Sequence, residues 1–451
     1  MNTIATNAAN DVEQLEQLAA LASEVIARCR QQGASQAEVG MQFEVGLNVN
    51  VRLGEVETVE HTRDRGIAVT VYVDHRKGSA STADLRPDSI STTIEQAIAI
   101  ARHTEADPAA GLADPERMAT VFPDLDLWHP WALDADQAIE LGIACEAAGR
   151  DHDARISNSD GASVSSGSSL GVYANSHGFV GRERRTRHSL SCSLIAEDAQ
   201  GMQRDYWFST AVAREDLEAA EAIGRHAAQR TLARLDAAKL STRTCPVLFA
   251  PELARGLIGH LVGAVSGGAL YRKASFLLDK RGERLFPAWF QVHEDPFLRR
   301  GLGSGAFDAD GVASAATDLI RDGVLARYVL GSYSARRLGL ESTGNAGGIH
   351  NLKVAANAGE LADLVRQMDR GLLVTELMGQ GVNILTGDYS RGAAGFWVEN
   401  GAIVHPVHEV TIAAHLGELF QRIVAVGKDT DTRSNILCGS ILVEGMTVAG
   451  S

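Results

Sequence analysis

Apolar residues recur at three- and four-residue spacings through Leu15, Leu18, Leu21, Ala22, Val25, Ile26 and Cys29, which predicts an amphipathic helix over residues 12–30. The period then falls to two. Leu47, Val49, Val51 and Leu53 alternate with polar residues, Gly54-Glu55 supplies a turn, and Ile67, Val69, Val71 and Val73 alternate again. Such a pattern predicts an antiparallel meander with one face on the core and one in water. A second helix is predicted from Asp88 to about His103. It starts after Pro87 with Asp, Ser and Thr side chains to cap it and buries Ile90, Ile94, Ala97, Ile98 and Ala101.

Four of the ten prolines, Pro108, Pro115, Pro123 and Pro130, then interrupt any regular structure, and they mark a joint over residues 108–133. Beyond it the pattern predicts a helix over about Ala135 to Gly149, short strands through the Ser/Gly-rich run at 157–178, and a helix over about Arg214 to Leu235. From Cys245 onward, glycine-rich strand-like segments alternate with turns. The expected class is α+β: an N-terminal antiparallel sheet with packed helices over 1–107, the joint, a central α+β region over 134–240, and a mostly antiparallel, β-rich C-terminal domain with a few helices over 241–451. A chain of 451 residues exceeds what one core organises, in keeping with several domains.

A formal net charge of -15 opposes an extended grip on nucleic acid, which needs clustered Lys and Arg. The short basic run Gly181 to His188 contains Glu183 and reads as a solvated strand or rim. The sequence offers no apolar run of about 18 residues and its N-terminus is polar and acidic, so a cytoplasmic protein without a membrane span is expected. Its five cysteines form no CxxC pair and are expected to be free thiols.

Three strings in the last third, Tyr333 to Gly348 (YSARRLGLESTGNAGG), Gly387 to Gly401 (GDYSRGAAGFWVENG) and Ser434 to Ser440 (SNILCGS), resemble the PmbA (TldE) branch of the TldD/PmbA family. The resemblance extends from about residue 35 to the end. In that family the TldD-type subunit carries a His-Glu-x-x-x-His zinc motif, so the resemblance implies a heterodimeric metalloprotease. The partner would hold the zinc, this chain would bring no cofactor of its own, and unfolded peptides would enter a shared chamber as extended strands. Peptide maturation and antitoxin turnover are the roles the resemblance implies.

With the string YRKASF (Tyr271 to Phe276) as anchor, the family's two ligand positions and general base fall on Ile258, Gly263 and Gly259, in the stretch Pro251 to Leu270. None of these side chains can donate to zinc or take a proton from water. His260 lies off those positions and reads as a half-buried, hydrogen-bonded histidine. On a helix, Gly256, Gly259, Gly263 and Gly267 fall together opposite an apolar stripe of Leu253, Leu257, Ile258, Leu261, Val262 and Val265. Four interior glycines at about 1 kcal/mol each imply a close backbone approach. A neighbouring strand of the same domain is the first expectation; a partner subunit or a threaded peptide is the second.

Other motifs fail as metal sites. His293-Glu294 is followed by Pro296, which forbids the helix a second ligand would need; His408-Glu409 finds its next histidine only at His415. A pairing of His405 with His408 on a metal reads less well than two histidines at a strand end. Cys438 matches the segment from which the TldD-type subunit adds a cysteine to zinc; without histidine partners it reads as a packed thiol, with a metal role left open. The loop Ser342 to Gly348 lacks the Lys-Ser/Thr of a phosphate loop, and no Gly-x-Ser-x-Gly elbow occurs. Three readings stay open: the non-zinc subunit of a protease pair or of a self-associating assembly, a gyrase-modulator type of regulator that binds protein, and a hydrolase with an unrecognised site.

Overall fold

The computed structural model describes residues 8–450; residues 1–7, at the start of the first predicted domain, and Ser451 lie outside them. The first helix, α1 (Ala8–Gln31), buries Leu15, Leu18, Ala22, Val25 and Cys29 as the spacing predicts. It leads into two long strands, β1 (Gln36–Arg52) and β2 (Glu55–Val73), followed by β3 (Arg76–Thr82) and α2 (Pro87–His103). The start of α2 differs from the expectation. Pro87 is itself the first helical residue, Arg86 holds the cap position, and no side chain caps it, because a proline at N1 has no N–H to satisfy.

The central region folds as α3 (Ala135–Arg150), β4 (Ile156–Asn175), β5 (Val180–Asp198), β6 (Gly201–Ala211) and α4 (Ala220–Leu232). Two expectations change here. The Ser/Gly run is one 20-residue strand rather than several short ones: Ser163, Ser165, Ser169 and Gly171 lie on the face opposite Val164, Leu170 and Val172, while Ser166 and Ser168 share the face of those apolar residues and Ser166 bonds the inward His188. The last helix begins at Ala220, with only a 3-10 turn at Arg214–Asp216 before it.

Strands of the first and central regions join in one antiparallel sheet of order β3-β2-β1-β4-β5-β6. The odd positions of β1, from Ala37 and Val39 to Val49 and Val51, share one face of the sheet and enter two separate apolar clusters at its two ends. Helices α1 and α2 cover one end of that face, and α3 and α4 cover the other. The other face carries Glu38, Gly40 and Gln42 on β1 and Ser169, Gly171 and Tyr173 on β4. Glu146 of α3 is buried and accepts from the backbone N–H of Leu53 and of Gly54, both at 2.8 Å, so a helix carboxylate holds the β1–β2 turn. The proline-rich segment is a strap bonded to both parts: Ala119 N–H donates to Gly311, and Leu127 accepts from Thr186 N–H at 2.9 Å.

The C-terminal part opens with β7 (Arg243–Phe249), α5 (Pro251–Ala264), α6 (Gly267–Tyr271), β8 (Val292–Asp295), β9 (Thr317–Arg321) and β10 (Val324–Leu325). Next come α7 (Ser332–Leu338), β11 (Asn351–Val354), α8 (Leu361–Met368), β12 (Gly371–Met378), β13 (Val382–Asn383) and β14 (Asp388–Glu399). It ends with β15 (Ala402–His415), α9 (Leu416–Gln421), β16 (Ile423–Val426), β17 (Ile436–Leu437) and β18 (Ile441–Ala449). One sheet runs β10-β9-β8-β11-β17. In the other, β12-β7-β18-β15-β14 closes into a ring, since β14 pairs back onto β12. Leu257, Ile258 and Leu261 of α5 pack in one core with Val247, Phe249, Leu372, Val374 and Ile412 of that ring.

Candidate functional site

The stretch from Pro251 to Leu270 is two helices, broken at Val265-Ser266, where the Ser266 hydroxyl donates to Gly263 O at 2.8 Å and starts α6. Ile258 is fully buried against the ring, while Gly259, His260 and Gly263 are half-buried on the opposite side. The expected close approach of a neighbouring strand is absent. A Cβ placed on Gly256 or Gly259 would meet nothing within 4 Å, and one on Gly263 would meet only the Ile384 side chain, at 2.8 Å. The Gly267 contact is with side chains of Ser334 and Leu330, outside α5. Gly256 and Gly259 thus lie beside His260 on an open face where their lack of a side chain serves no contact inside this chain, whereas Gly263 makes room for Ile384.

The donor set at these positions does not fit zinc. Ile258 and the two glycines offer no ligand atom, and Cys438 is fully buried behind Asp431, its thiol donating to Gly439 O at 3.2 Å. Burial, helped by the nearby charges of Asp429 and Asp431, pushes that thiol far above its ordinary range and disfavours the thiolate a metal would need. Among the described residues, no group of three or more His, Cys, Asp or Glu side chains is gathered to hold a metal ion. His405 Nδ1–H donates to Pro406 O at 3.0 Å, and His415 caps α9 by accepting from Gly417 N–H. The basic run 181–188 lies on β5, where alternation turns His188 fully inward, bonded to Ser166 and to His129 O.

A cleft of about 570 Å³ lies where the polar face of the first sheet meets the C-terminal part. Gly40, Gln42, Ser169 and Gly171 form its floor, Glu183 and Arg185 one wall, and Gly347, Gly348 and His350 the other. The second wall is held by Glu294. Since β8 is a strand, His293 and Glu294 turn to opposite sides. His293 pairs with Asp318 at the surface, whereas Glu294 is buried. Its carboxylate accepts from His350 N–H at 2.6 Å, His350 Nδ1 at 3.1 Å and Asn345 Nδ2 at 2.9 Å, and pairs with Arg327. Burial alone would raise this carboxyl, but the bonds from His350 and the Arg327 charge outweigh it and hold Glu294 below its ordinary range.

His350 Nε2 lies 3.0 Å from Ser314 Oγ, so Ser314, His350 and Glu294 stand in a relay order. Such an order can polarise a serine hydroxyl. Here Ser314 is buried and is absent from the cleft lining, and the carboxylate is already saturated by backbone, amide and guanidinium donors. The arrangement fixes the loop 342–350; it does not present a nucleophile. Sequence reading missed this use of Glu294 and His350, which no local motif announces, because they are 56 residues apart.

Asp308 also braces the loop, accepting from Ala346 N–H at 2.8 Å and from Asp310 and Val312 N–H. Burial and the nearby Asp310 charge raise it to about 6 despite those bonds. Glu38, which accepts from Tyr72 and Tyr173 hydroxyls, is raised by burial and faces the same Asp310. The folded value of Asp308 lies above the unfolded one, so the native state holds the extra proton between about pH 4 and pH 6. Its contribution is present below that window and is lost as pH rises through it. An Asp308→Asn variant should therefore gain on the wild type as pH rises from 4 to 7, by at most about 3 kcal/mol. Urea melts of both proteins across that range check this; a constant gap would refute it.

The chain matches the PmbA/TldA metallopeptidase domain 1 over residues 37–101, the central domain over 128–235 and the C-terminal domain over 242–450. It is 50% identical over 414 residues to metalloprotease PmbA of Escherichia coli O157:H7, covering 92% of each chain. Its fold superposes on a putative modulator of DNA gyrase from Bacteroides thetaiotaomicron with a TM-score of 0.91 at 28% identity, covering 96% of this chain and 98% of that one. TldE from Thermococcus kodakarensis shares the fold with a TM-score of 0.84 at 21% identity, over 95% and 100% of the two chains.

Proposed function

This chain belongs to the PmbA/TldD metallopeptidase family, and from that premise we propose that it is the PmbA/TldE-type subunit of a cytosolic metalloprotease complex. In this reading a TldD-type subunit supplies the zinc. The present chain, non-catalytic by itself, shapes the chamber in which unfolded peptides are degraded or processed, as in peptide maturation and antitoxin turnover. The observation that carries the reading is α5. At the register of the family's zinc motif it turns Ile258 into the core, leaves Gly259 on an open face and sets Gly263 against Ile384. That face has room for a partner or a substrate, and the three motif positions carry no group to bind zinc or take a proton from water. No helix among the described residues is long and apolar enough to cross a membrane.

The test is zinc content and peptidase activity of the chain alone and with a TldD-type chain. The chain alone should hold no stoichiometric zinc and cleave unfolded peptides at background rate, and the pair should be active. A chelator-sensitive activity with one tightly held zinc in the isolated chain would overturn the reading. Failure to associate with any TldD-type chain would favour the protein-binding regulator instead. Two substitutions sharpen the result. Gly259→Ala should stabilise the isolated chain by about 1 kcal/mol through helix propensity alone, since its Cβ meets nothing. Gly259→Leu should leave the isolated chain folded yet depress assembly or activity of the pair. Normal assembly and activity of the Leu variant would show the face to be plain surface.

A further inference from the structure

The open face of α5 is bordered by polar groups that nothing in the chain satisfies. His260 sits at its centre, with its ring 5.9 Å from that of Tyr389 in an edge-on arrangement at 70°. Tyr389 is 1% exposed, and its hydroxyl is buried without a hydrogen-bond partner. Arg391 follows two residues later on β14, on the same strand face as Tyr389 and the buried Ala393, which is the face turned toward α5. Its Nε is buried and unpartnered, and among the described residues neither an ion pair nor a hydrogen bond engages its guanidinium.

A half-buried guanidinium without a counter-charge is costly, and proteins seldom keep one without a ligand. The local field is one-signed. Burial and the Arg391 charge hold His260 below its ordinary range, burial raises Tyr389 while Arg391 opposes the rise, and no carboxylate acts on either ring. This stands out in a chain of net charge -15. His260 is therefore neutral at neutral pH, with one N–H to give. An unpaired guanidinium and an unpartnered phenol O–H on one face of β14, with an imidazole N–H beside the phenol ring, are donors suited to a planar anion with two oxygens.

We propose that Arg391, Tyr389 and His260, on the open glycine face of α5, form a binding site for a carboxylate of a peptide chain. Arg391 supplies the charge, Tyr389 and His260 orient the second oxygen, and Gly256 and Gly259 leave room for the peptide backbone to lie along the helix. Peptide as the carrier rests on the function proposed above; the anion site rests on the unpaired donors alone. The site binds and positions, and it performs no bond cleavage.

The experiment uses the full chain and a fluorescent unfolded peptide lacking Asp and Glu, in two forms: free C-terminal carboxylate and C-terminal amide. A third, amidated peptide with one internal Asp separates a terminal from a side-chain carboxylate. Anisotropy titrations should show either carboxylate-bearing form binding about 10-fold tighter than the plain amide, the scale of one charge-assisted hydrogen-bonded pair. Arg391→Gln should erase that preference, and Tyr389→Phe should reduce it several-fold without lowering the melting temperature, since the lost hydroxyl has no partner. The Phe variant keeps the test decisive if the Gln variant fails to fold. Equal binding of all three peptides by the wild type, or a preference that survives both substitutions, overturns the site. Preference in a chain that never pairs with a TldD-type subunit would leave the site standing and remove the proposed complex; an active pair whose chain shows no preference would do the reverse.

Discussion

Glu294→Ala is expected to destabilise the protein by about 3–5 kcal/mol, the cost of stripping one partner from a buried ion pair. The residue is 1% exposed and its carboxylate joins Arg327, Asn345 and both the backbone and ring of His350. Removing it strands the Arg327 charge in the interior and frees the loop 342–350 that walls the cleft. Denaturant melts should show the midpoint fall, with the change in free energy within that range. A double variant, Glu294→Gln with Arg327→Met, removes both charges and should recover part of the loss. If the single alanine variant costs less than about 1 kcal/mol, the network is not what holds the loop.

The second large effect is expected at Gly224, in the interior of α4. A Cβ there would run into the carbonyl oxygen of Cys145, and would lie 3.0 Å from the amide nitrogen of Gly149; a Cβ on Gly149 would in turn lie 2.8 Å from the Gly224 carbonyl oxygen. Helices α3 and α4 therefore cross backbone to backbone on the sheet. Even Gly224→Ala, which gains about 1 kcal/mol in helix propensity, should be net destabilising. Gly224→Val should cost about 3 kcal/mol or more, because the obstacle is main chain and overpacking cannot be relieved by a rotamer change. The readout is thermal unfolding of the two variants beside Gly259→Ala. Both positions are glycines in helices, and only the one with open space around it should gain stability. A Gly224→Val protein as stable as the wild type would show that the two helices can part at little cost.

Much of the architecture was legible along the chain. The period-two alternation of β1 and β2 and the three-four spacing of α1 and α2 express burial on one face, and local pattern records that directly. The Ser/Gly run of β4 misled on length because small polar residues are typical of turns. In the sheet they fill a strand whose core face carries Val164, Leu170, Val172 and Ala174, with the small Ser166 and Ser168 between them on that same face. The glycines of α5 misled in another way. Their spacing showed a face, and the nearest inference was a packed backbone; the structure leaves Gly256 and Gly259 open.

By itself, then, the sequence determined the helices and strands of the first hundred residues, the α+β class, the family resemblance, and the lack of ligand-bearing side chains at positions 258, 259 and 263. These are properties of residue type and of spacing within a few turns. Tertiary structure decided what lies between distant residues. It placed the first and central regions in one sheet, closed β14 back onto β12, drew Glu294 and His350 together across 56 residues, and set Tyr389 beside His260 with Arg391 unpaired. The physical reason is that a hydrogen bond or an unmet charge depends on distance and burial, and neither is encoded in the local periodicity from which helices and strands are read.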